Sequence, residues 1–454
     1  MISSIANVVH APIVLLQTWG EALAALFRLL GVGIKAARAP GGFKKNAATT
    51  LADPVTQRLV LSVLRVFAPN LSLSKQLVKS YANAGTVIVT RREDVLDVLH
   101  RDADFAVVYG PRMQKLTDGE NFFLGMQPGW PYSRDTSNMR LAARMSDVAE
   151  IVLPRASALA ERIVAESGGR LDLPPALTLR VPWDMTEHYF GVGGPDAATM
   201  QDWTTTLFWY LFGDLGADPA LEAKSMEHAA ALRAYLDQAI AARKASPTET
   251  PDILNRCLAL QAAGTPGMDD LGIRNNLLGL LIGAIPTISK ACCLALDELF
   301  RHPVALARVQ SAARSGDDAL LANGLWEALR FNPHNPLIYR RATRDTVIAA
   351  SSLRRRKIKQ GQMVFAMTLS AMFDRREIPE PNRFRLDRRF EDYIIWGTGL
   401  HTCFGATINA AVIPAVLRPL LARPGLRRAA GAAGQVDTGG TPFPQHFEVL
   451  FDAG

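Results

Sequence analysis

The chain has 454 residues, of which 48% are hydrophobic and 20% charged, a balance that excludes a disordered polypeptide and provides for a large buried core. Its formal charge of +7 is spread along the sequence rather than gathered in one basic block, so a nucleic-acid-binding surface leaves no footprint. Cysteines at 257, 292, 293 and 403 lack the paired spacing of a disulfide scaffold or a zinc site and suit a reducing compartment.

In chain order, the stretch from Ile13 to Ile34 is largely apolar but interrupted by Gln17, Glu21 and Arg28, and Lys35, Arg38, Lys44 and Lys45 follow it. It is too broken for a spanning helix and has no small-residue cleavage site. Residues 1–45 therefore read as a helical extension, either packed on the body or lying weakly on a membrane surface, with 46–454 as the main domain. Thr86 to Thr90 is a short β-branched strand, and Arg92 to Leu99 an amphipathic helix with Glu93 and Asp94 in its first turn. Further on, Gly129 and Pro131 lead into a helix that carries Tyr132, Arg134 and Arg140. A helical pattern then runs to about Ala242, and within it Trp203, Phe208, Trp209, Tyr210 and Phe212 crowd together, as core packing or as the roof of an apolar pocket.

A long, informative helix spans about Leu271 to Phe300. Thr287 lies four residues after Gly283 and three after Ala284, so these share one small, nearly bare face against which a flat object can press. Pro286 interrupts the backbone ladder, and should kink the helix at a cost of about 3 kcal/mol unless the site compensates. Next come Trp326-Glu327-Ala328-Leu329-Arg330, whose Glu and Arg can pair across one turn, then Tyr339-Arg340-Arg341 and the strand-like run from Gly361 to Met367. A basic cluster, Arg354 to Lys359, reads as a solvated turn before it reads as a docking face. The C-terminal end carries a Pro442-Phe443-Pro444 turn and an alternating strand of Phe447, Val449 and Phe451.

Between these lies Trp396-Gly-Thr-Gly-Leu-His401-Thr-Cys403-Phe404-Gly405. Gly399 and Gly405 let the backbone fold tightly around one sulfur, several N–H groups can be aimed at it, and the helix-like run that follows favours an anion at its start. A thiolate held in this way is a candidate haem ligand. The order aromatic, Gly, Cys, Gly, with His401 two residues before the cysteine, resembles the haem-binding loop of the cytochrome P-450 family, with Trp396 where the family usually has Phe. Three other motifs agree in order: Gly283, Ala284 and Thr287 in the long helix, Glu327 with Arg330, and Pro381-Asn382-Arg383-Phe384, similar to the family's Pro-Glu-Arg-Phe.

The resemblance implies a mainly α fold with a small β-region, haem b held between a long kinked helix and the cysteine loop, and Cys403 as iron ligand. It further implies that His401, Phe404, Gly405 and Trp396 line the cofactor, that Arg340 and Arg134 reach its propionates, with Arg341 and Arg140 behind them, and that Glu327, Arg330 and Arg383 form a supporting charged triad. Gly283, Ala284 and Thr287 would form the oxygen groove. The implied activity is monooxygenation of a small to medium apolar substrate in the cytoplasm, with electrons from a separate ferredoxin and reductase, since no flavin or iron–sulfur motif is present. Pro286 departs from the family, because an acidic residue is expected there. It leaves open a peroxide-driven peroxygenase or hydroperoxide isomerase, and, in another class, a non-catalytic haem-binding sensor.

Overall fold

A computed structural model describes residues 2–40, 42–120 and 122–453; the side chains of residues 2–11, 43–45 and 48, and so those of Lys44 and Lys45, lie outside the described residues. The chain forms two compact units. One comprises the residues up to Leu77, Ala82–Ala106 and Arg330–Gly399; the other comprises Val78–Tyr81, Val107–Leu329 and the residues from Leu400 onward.

The first unit is organised on a five-stranded sheet, in the spatial order Asn70–Leu73, Thr86–Val89, Met363–Ala366, Ile338–Ala342, Phe105–Ala106. Its centre is the parallel pair that aligns Val87 with Val364 and Val89 with Ala366, and these residues are fully buried. Short β-branched runs without alternation suit strands covered on both faces. The predicted strand at Thr86 and the helix after it, Arg92–His100, are both present.

The N-terminal helix Ile2–Arg38 also belongs to this unit. Thr18, Ala22, Ala25 and Ala36 are buried along one stripe, facing the helix Pro54–Phe67. Trp19 meets Phe67 edge-on at 5.2 Å, and Arg375 donates to Glu21 at 2.9 Å. The opposite arc is apolar and exposed, with Leu16, Leu23, Phe27, Leu30 and Ile34. Over Pro12–Arg38 the mean hydropathy reaches 1.5, so by length and composition this helix is able to cross a membrane after all. The alanine stripe instead ties it to the protein.

The second unit is helical around Asp270–Phe300, with a three-stranded sheet in the order Arg170–Asp172, Glu448–Leu450, Arg427–Arg428. The predicted C-terminal strand is its middle member. Asp269 caps the long helix by accepting from the N–H of Gly272 at 2.7 Å. The helix stays helical through Pro286 rather than ending there. It packs against the helices Ala197–Phe208, Pro219–Ala245 and Ala406–Leu421.

Arg330, at the end of the helix Asp318–Phe331, is the largest fully buried side chain. Its guanidinium donates to the carbonyl of Met372 at 3.0 Å and lies over the rings of Phe331 and Phe373, 4.6 and 4.2 Å from their centroids. Its bond to Arg383 goes to the backbone carbonyl, at 3.5 Å. The Arg383 guanidinium pairs instead with Glu380 at the surface, where its side chain is 68% exposed. Urea unfolding should therefore show Arg330→Ala losing about 3 kcal/mol, from a charged hydrogen bond and two desolvated cation–π contacts. Arg383→Ala should stay within about 0.5 kcal/mol of the parent, as exposed pairs do.

Candidate active site

Every residue of the long helix between Leu277 and Leu299 is buried except Leu280, Gly283, Thr287, Lys290 and Leu294. Their spacing of three and four places them in one row along the helix. The two glycines near its centre differ in kind. A Cβ on Gly279 would land inside the ring of Phe122, whereas a Cβ on Gly283 would meet nothing within 4 Å. Close packing therefore stops along this row, and Gly283 and Thr287 face open space. The Thr287 hydroxyl donates to the carbonyl of Gly283, with a longer contact of 3.4 Å to that of Ala284. It thus serves backbone carbonyls in the turn that Pro286 disturbs.

The cysteine loop is shaped by glycines with positive φ, Gly397 at 75° and Gly399 at 80°. A side chain at Gly399 would also collide with the carbonyl of Leu99. Past Cys403 the chain turns directly into the helix Ala406–Leu421, with the Asn409 N–H donating to the Gly405 carbonyl at 2.8 Å. Cys403 keeps partial solvent access, whereas Cys257, Cys292 and Cys293 are buried. Burial pushes its thiol up, and a hydrogen bond from the Gly405 N–H opposes that shift. The loop thus aims the N–H of Gly405 at the sulfur. Burial, helped by the nearby charge of Asp252, pushes Cys257 up to about 12.

The helix Trp130–Ala142 braces the loop. Tyr132 donates from its hydroxyl to the carbonyl of Leu400 at 2.6 Å and meets the His401 ring edge-on at 5.0 Å. Phe404 sits between Phe123, 5.1 Å away, and the guanidinium of Arg140, 5.1 Å from its ring centroid. Arg134 turns elsewhere: it pairs with Asp135 at 2.6 Å, which raises its pKa, and lies against Gly267. Of the two arginines, Arg140 is the one beside the cysteine loop.

The remaining candidates are placed as follows. Glu327 is fully buried on its helix, one turn before Arg330. In the other unit, Arg340 is buried on the strand Ile338–Ala342 and donates to the carbonyl of Tyr339 at 2.9 Å, and Trp396 stacks obliquely on Phe390 at 5.8 Å. Two residues went unnoticed in the sequence. Arg388, rather than Arg383, is the buried guanidinium of its segment, donating to the carbonyls of Pro379, Glu380 and Arg383. Lys290 lies in the accessible row, with Nζ 5.4 Å from the ring centroid of Phe443. Phe443 meets Phe208 at 5.5 Å, and Phe208 meets Phe212 at 4.5 Å, so part of the aromatic crowd does gather into one wall.

A profile of the cytochrome P-450 family matches residues 80–408. The chain is 25% identical over 295 residues to the steroid C26-monooxygenase of Mycolicibacterium smegmatis, covering 62% of this chain and 68% of that protein. It is likewise 25% identical over 354 residues to the nocardicin C N-oxygenase of Nocardia uniformis subsp. tsuyamanensis, covering 75% and 83%. Among solved structures, cytochrome P-450 CYP109Q5 from Chondromyces apiculatus superposes with a TM-score of 0.70 at 20% identity, covering 88% of this chain and 96% of that one.

The contrast between the two helix glycines is directly measurable. Gly279→Ala should destabilise by about 1–3 kcal/mol through overpacking against Phe122. Gly283→Ala should leave stability unchanged or raise it by up to about 1 kcal/mol, since it adds helix propensity where there is room. Thermal unfolding of the two variants beside the parent reads the difference.

Proposed function

The chain belongs to the cytochrome P-450 family, and from that premise we propose a haem-thiolate monooxygenase in which Cys403 is the iron ligand and the row Gly283, Thr287 and Lys290 faces the substrate. It is an oxidoreductase with haem iron as its cofactor. The observation that carries the assignment of residues is the coincidence, within one unit, of a partly accessible cysteine served by a backbone N–H and a buried helix that opens along a single row.

The residues fit such a group. Open space at Gly283 leaves room for a flat ring, and Phe404, Phe123 and Tyr132 give the cysteine loop an aromatic support. When bound, haem supplies oxygen activation, and thiolate ligation favours O–O cleavage. Everything else falls to the chain. Cys403 is held by its loop at a fixed point, with the Gly405 N–H stabilising its charged form. Arg140 is the guanidinium we assign to a haem propionate, since it stands beside Phe404 while Arg134 is engaged by Asp135. Arg340 is proposed for the second propionate from the resemblance of its motif. Ala284 and Thr287 border the groove at Gly283, and Arg330, Glu327 and Arg388 stiffen the frame.

Dioxygen with electrons from a ferredoxin and its reductase is the favoured oxidant system. Peroxide-driven turnover is the second reading, and Pro286 favours it: the position that would carry a proton-delivering carboxylate has none. The reduced, carbon monoxide-bound protein should show the band of thiolate ligation, and Cys403→Ala should abolish it; survival of the band would remove the ligand assignment. Assays with NADPH, ferredoxin and reductase beside assays with hydrogen peroxide separate the two oxidants. Bound haem with no turnover in either would favour the sensor.

We also propose that the N-terminal helix makes a peripheral membrane contact. Its exposed apolar arc runs from Leu16 to Ile34, opposite the stripe packed on Pro54–Phe67, and Lys35 and Arg38 stand in its last turn. A helix of this kind lies in the plane of an anionic surface rather than across it. The full chain should co-sediment with phosphatidylserine-containing vesicles, and Phe27→Asp with Leu30→Asp should reduce the bound fraction several-fold.

A further inference from the structure

Lys290 is the one basic side chain in the accessible row of the long helix, three residues after Thr287 and seven after Gly283. Helix periodicity therefore turns it toward the same open space as those two residues. Among the described residues no carboxylate pairs with it; its ammonium has only the ring of Phe443, 5.4 Å away. Desolvation by burial lowers its pKa to about 8, and no charged neighbour contributes to that shift.

A half-buried ammonium without a counter-ion is costly, and natural sequences ordinarily supply a partner. The obvious place for one is four residues earlier, where an acid on the same helix face would reach it. That position is Pro286, which carries no charge. The two features belong together: the carboxylate expected before Thr287 is missing, and a lysine that such a carboxylate would have neutralised is left free. The ring beside Lys290, Phe443, is backed by Phe208 and Phe212.

We propose that Lys290 anchors the carboxylate of the substrate, so that the pocket takes organic monocarboxylates with an apolar body that lies along the aromatic wall. The proposal rests on the haem-thiolate reading, because it needs the row of Gly283 and Thr287 to face the substrate. Lys290 is thus a residue that sets specificity, and the charge that the helix lacks at 286 arrives with the ligand.

The test is a binding comparison on the haem-loaded full chain. Hexanoate, decanoate and hexadecanoate are titrated beside their methyl esters, with the shift of the ferric spectrum and calorimetry as readouts. The parent should bind at least one acid about tenfold or more tightly than its ester, as a desolvated charge pair requires. Lys290→Met, which keeps the length of the side chain, should lose that preference while its ester affinity stays within about threefold, and Lys290→Arg should retain the preference. An acid preference that survives in Lys290→Met, or no acid preferred over its ester by the parent, overturns the proposal. The carbon monoxide band of each variant is recorded alongside. Its presence with no acid preference sinks the lysine assignment alone, and its absence in the parent sinks the haem-thiolate reading beneath it.

Discussion

The arrangement depends on how completely the helix Asp270–Phe300 is buried. Protein interiors are close-packed, so a helix surrounded by protein leaves no room beside its backbone unless its neighbours are held away. Here they are held away along one row only. Gly279 shows the usual condition, with Phe122 occupying the place of a side chain, and Gly283 one turn later shows the exception. Because 3.6 residues make a turn, whatever occupies Leu280, Gly283, Thr287, Lys290 and Leu294 faces the same space. On the proposed reading, one periodic row would form the ceiling of the site.

Opposite requirements meet at Cys403. A ligand sulfur must be a thiolate, yet the loop that shields it raises the thiol pKa by withdrawing it from water. The Gly405 N–H offsets part of that penalty, and a metal cation would remove the rest, since a coordinating thiol is deprotonated outright. What the protein contributes is position. Gly399 permits the turn, Tyr132 ties the Leu400 carbonyl to the neighbouring helix, and Phe404 is gripped between Phe123 and Arg140. Cys257, Cys292 and Cys293, buried without such a frame, behave as small apolar residues.

Motifs whose spacing encodes geometry were legible in advance. The glycines that turn the chain before Cys403 and the small face of the long helix each translate directly into an arrangement. Choices that depend on helix phase or on irregular loops were not legible. Arg134 and Arg140 are six residues apart, about 240° around the helix, so only one faces the cysteine loop, and the sequence does not fix the angle at which the helix is docked. Arg383 and Arg388 lie in a segment without periodicity, where burial is decided by backbone carbonyls at Pro379, Glu380 and Arg383 that no pattern announces. Lys290 escaped because a long apolar helix reads as core, and one lysine near its middle looks like an interruption rather than part of a row.

That lysine changes the meaning of the proline before it. Considered alone, Pro286 is a loss: it removes a helix hydrogen bond and occupies the place of a carboxylate. The lost bond disturbs the turn in which the Thr287 hydroxyl serves the Gly283 carbonyl. The lost carboxylate has an electrostatic consequence of its own, because residues 286 and 290 face the same side one turn apart. An acid at 286 would have bound the ammonium of Lys290 and closed the pocket to anions. A proline leaves the half-buried ammonium beside the ring of Phe443, with no carboxylate paired to it among the described residues. If Lys290 faces the substrate as proposed, such a site would repel cations and gain from admitting an anion, so the same proline would bear both on proton delivery and on the charge of what binds.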